Sequence, residues 1–134
     1  MTDQAPPAAR KINPPPVNTE TEPFWAAARE GRFLIGRCTA CGRAHYYPRA
    51  LCPFCFGQAA MEEASGKGEI YTFSVTERGT PVPYAIGYVT LKEGPRILTN
   101  FVDCDLGALR IGQPVKLTWT PTEGGPPVPT FSPA

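Results

Sequence analysis

Four cysteines stand in two pairs, Cys38-x-x-Cys41 and Cys52-x-x-Cys55, with ten residues between the pairs. Two thiolates at this spacing sit on one tight turn and can meet a single ion. Two such turns make a tetrahedral four-thiolate site. Gly42 and Gly57 follow the pairs and give the turns an open backbone, and Pro53 stiffens the second. The competing reading, two separate redox motifs, leaves the paired spacing without a purpose. The expected ion is Zn2+ in preference to iron, since an all-thiolate tetrahedron accepts both and structural zinc is commoner; its role is structural, because all four ligands come from the chain and no position is left for an activated water. A fifth cysteine, Cys104, lies between Asp103 and Asp105. Neighbouring carboxylates raise a thiol's pKa, so Cys104 reads as a packed side chain and not as a nucleophile.

The remaining residues narrow the chemistry. One histidine, His45, excludes most schemes built on an imidazole base or on several imidazole ligands. The formal charge is +1, from 13 Lys and Arg against 12 Asp and Glu, so no bulk field draws in nucleic acid or an anionic membrane. No apolar run reaches the roughly 20 residues of a membrane span, and no secretory leader is evident, which predicts a reducing, cytoplasmic setting. Five arginines (Arg29, Arg32, Arg37, Arg43 and Arg49) fall in a stretch with one acid, Glu30. Such a patch is either solvated surface or a phosphate contact, because Arg grips phosphate with two parallel N–H groups.

These side chains must be held by short elements, because 17 Pro and 13 Gly interrupt nearly every segment and disfavour a helical fold. Residues 1–19, with five prolines, read as a disordered arm. Residues 20–32 hold a short helix that Thr21 could cap, with Pro23 in its first turn and Gly31 at its end. So short a helix must dock, through Phe24, Trp25 and Ala28, either on its own chain or on a partner. Residues 33–65 form the metal ribbon, entered by a strand over 33–37. Residues 66–134 alternate as strands at 69–77, 84–92, 96–104, 115–120 and 128–132, with one helical turn at 105–109. In the first, Tyr71, Phe73 and Val75 share a face. In the second, Tyr84, Ile86 and Tyr88 face away from Ala85, Val89 and Leu91. Five strands with a helical turn between the third and fourth give the order of an OB-type barrel, although periodicity alone would equally allow another small barrel. Its six basic and six acidic residues offer no positive groove beside Tyr84, Tyr88 and Phe101, the aromatics that could stack on bases.

The order of features resembles the DUF35 family. Pro23-Phe24-Trp25 leads into Cys38-Thr39-Ala40-Cys41-Gly42, then His45-Tyr46-Tyr47-Pro48-Arg49 into Cys52-Pro53-Phe54-Cys55. Ser65-Gly66-Lys67-Gly68, Pro83-Tyr84-Ala85-Ile86, Leu109-Arg110-Ile111-Gly112 and Pro129-Thr130-Phe131-Ser132-Pro133 follow. The resemblance covers about residues 20–134 and implies a mainly β protein: a short N-terminal helix, a rubredoxin-like zinc ribbon and a five-stranded OB-fold barrel. It further implies a non-catalytic companion of a thiolase-like or other acyl-CoA-processing enzyme, completing a channel for CoA. On this reading Cys38, Cys41, Cys52 and Cys55 hold the metal. Our own extension makes Arg37, Arg43, Tyr46, Tyr47 and Arg49 candidates for contact with acyl-CoA, and Phe24 and Trp25 candidates for the partner interface. The alternative is a single-stranded nucleic-acid-binding ribbon and barrel, which rests on fold analogy alone.

Overall fold

The computed structural model describes residues 11–134. The helix α1 (Glu22–Arg29) is followed by β1 (Leu34–Cys38), β2 (Ala44–His45) and β3 (Ala59–Glu63), which pair antiparallel in the order β2-β1-β3. Then come β4 (Lys67–Thr76), β5 (Tyr84–Leu91), β6 (Arg96–Phe101), a single 3-10 turn (Leu106–Ala108), β7 (Pro114–Thr120) and β8 (Val128–Pro133). These five strands close a barrel in the order β4-β5-β6-β8-β7. Closure leaves no edge strand exposed. The expected helix, ribbon and five-stranded barrel are all present, with the helical turn between the third and fourth barrel strands.

The helix starts differently from expectation. The Thr21 hydroxyl accepts no capping hydrogen bond from the amides of α1. Asn18 organises the entry instead: its side-chain oxygen accepts from the Thr21 amide at 3.0 Å and its carbonyl from the Glu22 amide at 2.8 Å. The end is as expected. Gly31 adopts φ +76°, and the amides of Gly31 and Arg32 return to the carbonyls of Ala28 and Ala27, a paired C-terminal cap that a left-handed residue permits.

The expected arm falls partly on residues 1–10, outside the described residues. Residues 11–19 form no regular element, yet they are not free of the fold. The ring of Pro14 packs so closely on Gly125 that a Cβ there would lie 2.4 Å from it. Ile12 reaches a groove at one end of the barrel. A short proline-rich segment is stiff and apolar enough to lie along a neighbouring turn.

Strand β4 also departs from simple alternation. A bulge between Ile70 and Thr72 resets its pleat. Ile70 is buried, Tyr71 points outward, and Phe73 and Val75 are half-buried, so Tyr71 does not share their face. Gly87 lies opposite, and a Cβ on it would come within 2.0 Å of the Thr72 carbonyl oxygen. In β5 the two faces are as expected: Ala85, Val89 and Leu91 point inward, Ile86 and Tyr88 outward.

Ribbon and barrel share one apolar core. Phe24 packs on Phe33, and the Phe33 ring lies edge-on to Trp119 of the barrel at 6.1 Å and to Phe131 at 6.5 Å. Burying each such ring removes enough apolar surface from water to contribute roughly 1.5–3 kcal/mol.

Candidate metal centre and the adjoining cleft

The two knuckles converge at one end of the ribbon. Cys38 ends β1, and Cys41 follows in the turn that returns to β2. Cys52 and Cys55 lie on the loop before β3, where the Cys52 amide bonds the Gly57 carbonyl at 2.8 Å. All four sulfurs lie within 4.8 Å of one another. Cys38 Sγ is 3.5 Å from Cys55 Sγ, and Cys41 Sγ is 3.8 Å from Cys52 Sγ. A tetrahedron with metal–sulfur bonds of about 2.3 Å has edges of about 3.8 Å, so the donor set fits a four-thiolate ion.

Backbone amides prepare the sulfurs for negative charge. Cys38 Sγ accepts from the amides of Cys41 (3.2 Å) and Ala40 (3.3 Å), and Cys52 Sγ from Phe54 (3.3 Å). The Cys41 amide leads in pulling the Cys38 thiol down to about 6. At Cys55 the Gly57 amide also lowers the pKa, but the facing Cys38, burial and the other two thiols outweigh it and push the group up to about 11. Four thiols this close cannot all ionise without a cation among them.

The other expected site residues divide. Phe24 and Trp25 are almost wholly buried, at 0% and 5% exposure. They do not form an accessible partner face, because the helix docks on its own chain. Trp25 Nε1–H donates to the Tyr47 hydroxyl at 2.7 Å, and Phe24 meets Trp25, Tyr46 and Tyr47 edge-on. Tyr46 and Tyr47 therefore belong to an internal aromatic cluster. Burial, then the neighbouring Tyr47, raises the Tyr46 hydroxyl well above its ordinary pKa.

The arginines do not act as one patch. Arg37 is held by Glu62 at 2.8 Å and by the Gly42 carbonyl at 2.6 Å. Arg32 pairs with Glu63 at 2.9 Å, and Arg49 with Glu20 at 3.9 Å. The balancing acids come from outside the arginine-rich stretch, which is why that stretch reads as an excess of charge. The Arg43 guanidinium sits over the Phe54 ring, 3.6 Å from its centroid.

Arg37, Arg43 and Tyr46 also line a cleft of about 700 Å³ between the ribbon and the β5–β6 turn. From the barrel come Glu93 and Arg96, which sequence reasoning did not associate with the ribbon. No local motif marks them; only the docking of the two modules brings them there.

Cys104 is half-buried, and its thiol is raised by burial and by the charges of Asp103 and Asp105. The three candidate stacking aromatics do not form one platform: Phe101 is buried in the barrel, while Tyr88 is on the outside. No helix among the described residues is long and apolar enough to cross a membrane.

Comparison with known proteins agrees with this architecture. Residues 25–62 match the family described as ChsH2, rubredoxin-like zinc ribbon domain, and residues 61–120 match ChsH2, C-terminal OB-fold domain. A probable enoyl-CoA hydratase alpha subunit of Thermomonospora curvata is 34% identical across the whole of this chain, which spans only 43% of that protein. A DUF35 domain-containing scaffold protein of Methanothermobacter thermautotrophicus is 34% identical over 75% of this chain and 82% of its own length. The benzoylsuccinyl-CoA thiolase subunit BbsA of Thauera aromatica is 32% identical over 69% of this chain and 68% of its own length. Among solved structures, a chain of the Ltp2-ChsH2(DUF35) aldolase superposes with a TM-score of 0.77 at 31% identity, covering 89% of this chain and 98% of that one. A DUF35 protein of unknown function from Sulfolobus solfataricus, at 15% identity and a TM-score of 0.65, shares the fold. A four-thiolate ribbon sharing its core with a closed OB barrel, matched along its length by these relatives, makes this chain a member of the DUF35 family.

Proposed function

We propose that this chain is a cytoplasmic, non-catalytic accessory subunit that docks on a thiolase-like or other acyl-CoA-processing enzyme, with Zn2+ as its structural ion. The observation that carries this reading is the likeness to a scaffold protein and to a chain of the Ltp2-ChsH2(DUF35) aldolase, each at above 30% identity over most of its length. The relatives named as a hydratase subunit and a thiolase subunit favour the same class of partner. The metal site supports the non-catalytic part: four protein thiolates close the coordination shell and leave no position for a substrate or water.

The docking area we favour is the outer barrel face. Ile86, Tyr88 and Leu98 are 37%, 44% and 57% exposed, and Tyr88 lies directly opposite Leu98 across β5 and β6. Apolar and aromatic side chains on rigid strands suit the centre of a protein interface. Of the residues assigned to acyl-CoA, Arg43 and Tyr46 keep that role in this proposal, since they line one cleft; Arg37 lines it too but is held by Glu62. Tyr47 and Arg49 are withdrawn from it by their bonds to Trp25 and Glu20.

The test is purification of the tagged full chain from its native source at moderate salt, with co-purifying proteins identified by mass spectrometry. A stoichiometric acyl-CoA enzyme is expected, and Tyr88→Ser with Leu98→Ser should abolish its recovery while leaving the chain folded. Recovery only of nucleic-acid-associated proteins, lost on nuclease treatment, would replace this reading with the single-strand-binding one.

A further inference from the structure

The two cysteine knuckles repeat one backbone. In the first, Gly42 follows Cys41 at φ +75°, and its amide bonds the Cys38 carbonyl at 3.1 Å. In the second, Phe56 follows Cys55 at φ +63°, and its amide bonds the Cys52 carbonyl at 2.9 Å. Such a turn asks for glycine, which has no Cβ to clash in the left-handed region, yet the second knuckle holds a phenylalanine there. Little of that ring is covered by its own chain. Phe56 is 77% exposed, more than any other large apolar side chain among the described residues. A bulky side chain kept in a strained, solvated position points to a role other than stability.

The tip is not isolated. Leu51 and Phe54 share its loop and are 56% and 47% exposed. Pro53 joins two hollows: one with Leu51 and Phe56, the other the ribbon–barrel cleft, with Phe54 and Arg96. On the far side of that cleft, Arg96 and Leu98 project from the same outer face of β6. The Arg96 guanidinium sits over the Tyr71 ring, 3.9 Å from its centroid. The knuckle is therefore continuous with the outer barrel face of Ile86, Tyr88 and Leu98. The middle of this band is positive. Arg37, Arg43 and Arg96 line the cleft against Glu93, and of the three only Arg37 pairs with a carboxylate among the described residues.

We infer that the knuckle tip of Leu51, Phe54 and Phe56 is a docking surface for a partner protein, one whose own surface offers an apolar pocket to Phe56 and a carboxylate to Arg96. Three side chains cannot supply the roughly 800 Å² per partner of a stable interface, so the tip is one end of a larger contact that runs onto the barrel face. A second copy of this chain would bring the same excess of arginine to meet its own. An anionic bilayer takes a cluster of basic residues, and two unpaired arginines beside Glu93 do not make one. That the partner is the acyl-CoA-processing enzyme rests on the accessory-subunit reading above.

The strained position makes the test selective. The enzyme recovered with the tagged chain is purified by itself and titrated calorimetrically with the full-length, metal-loaded chain. Phe56→Gly suits the left-handed backbone, so it is expected to melt no lower than the unsubstituted chain and yet to bind the enzyme about tenfold more weakly. Arg96→Gln should also weaken binding about tenfold. Ile111→Ser, at a comparably exposed residue on the turn before β7, should leave it unchanged. A lower melting temperature for Phe56→Gly would show that Phe56 supports its own chain, and overturns the inference. Unchanged affinity of Phe56→Gly for the enzyme does the same. Self-association of the unsubstituted chain in sedimentation, lost in Phe56→Gly, would assign the tip to a second copy. Binding to phosphatidylserine vesicles, lost in the same variant, would assign it to a bilayer. Either result overturns the partner named here. Absence of any acyl-CoA enzyme from the purification refutes the accessory-subunit reading and this occupant with it, whereas intact affinity of the knuckle variant for a recovered enzyme overturns the knuckle inference alone.

Discussion

Gly36 lies directly beneath the imidazole of His45: a Cβ there would sit 2.1 Å from Cε1. The ring is buried and cannot move aside without disturbing Tyr47, whose carbonyl it contacts. Gly36→Ala should therefore destabilise the chain by about 1–3 kcal/mol, the usual cost of overpacking. Chemical denaturation checks this, and an unchanged midpoint would contradict the close packing. Cys104 offers a second residue-scale prediction. Burial first, and then Asp103 and Asp105, raise its pKa, so less thiolate exists at pH 8 than for a free cysteine. Its alkylation should be slower than that of a model thiol and should recover only at higher pH. Asp103→Asn with Asp105→Asn should speed it partway, because the larger cause, burial, remains. At this scale the sequence was a good guide to chemistry carried by neighbours in the chain: the cysteine pairs and the Asp103-Cys104-Asp105 run were readable directly. It was a poor guide where charge is balanced from afar, as with Arg37 and Glu62, or where Glu93 and Arg96 line one cleft with ribbon residues.

The ribbon illustrates how little an element can hold by itself. Its sheet has a two-residue strand, β2, and β3 is largely half-exposed, so the four thiolates must fix the loops that carry them. Removal of the metal by a strong chelator, or Cys41→Ser, should raise hydrogen exchange across β1, β2 and β3 before the barrel strands respond. Simultaneous loss of protection in β5 and β6 would show that the metal supports the whole chain equally. The helix is the converse case, an element stable only by docking. Trp25→Phe keeps the packing but removes the 2.7 Å bond to Tyr47, at an expected cost of about 0.5–1.5 kcal/mol in thermal melting. Strand positions were legible because turn residues bracket each apolar run. The β4 bulge was not, since an extra residue leaves composition unchanged while shifting every later side chain to the other face.

The whole molecule has one core, and that separates it from a ribbon tethered to a barrel. Phe24 lies at the junction, fully buried against Phe33, which in turn meets Trp119 and Phe131. Phe24→Ala should cost about 3–5 kcal/mol and lower the melting of ribbon and barrel together, as one cooperative transition. Two separated transitions would show independent modules. The division of the sequence at 65 and 66 did not reveal this union, because contacts between Phe33 and Phe131 span most of the chain. The barrel's seam has a further consequence. β8 inserts between β6 and β7, and its parallel pairing with β6 joins Phe101 to Phe131. During translation the ribbon can bind its metal while later strands are still unsynthesised. The barrel must wait until the ribosome has passed Pro133, holding Ile97, Phe101 and Val115 unshielded until then. The nascent chain is thus most vulnerable late, in the interval between emergence of β7 and insertion of β8.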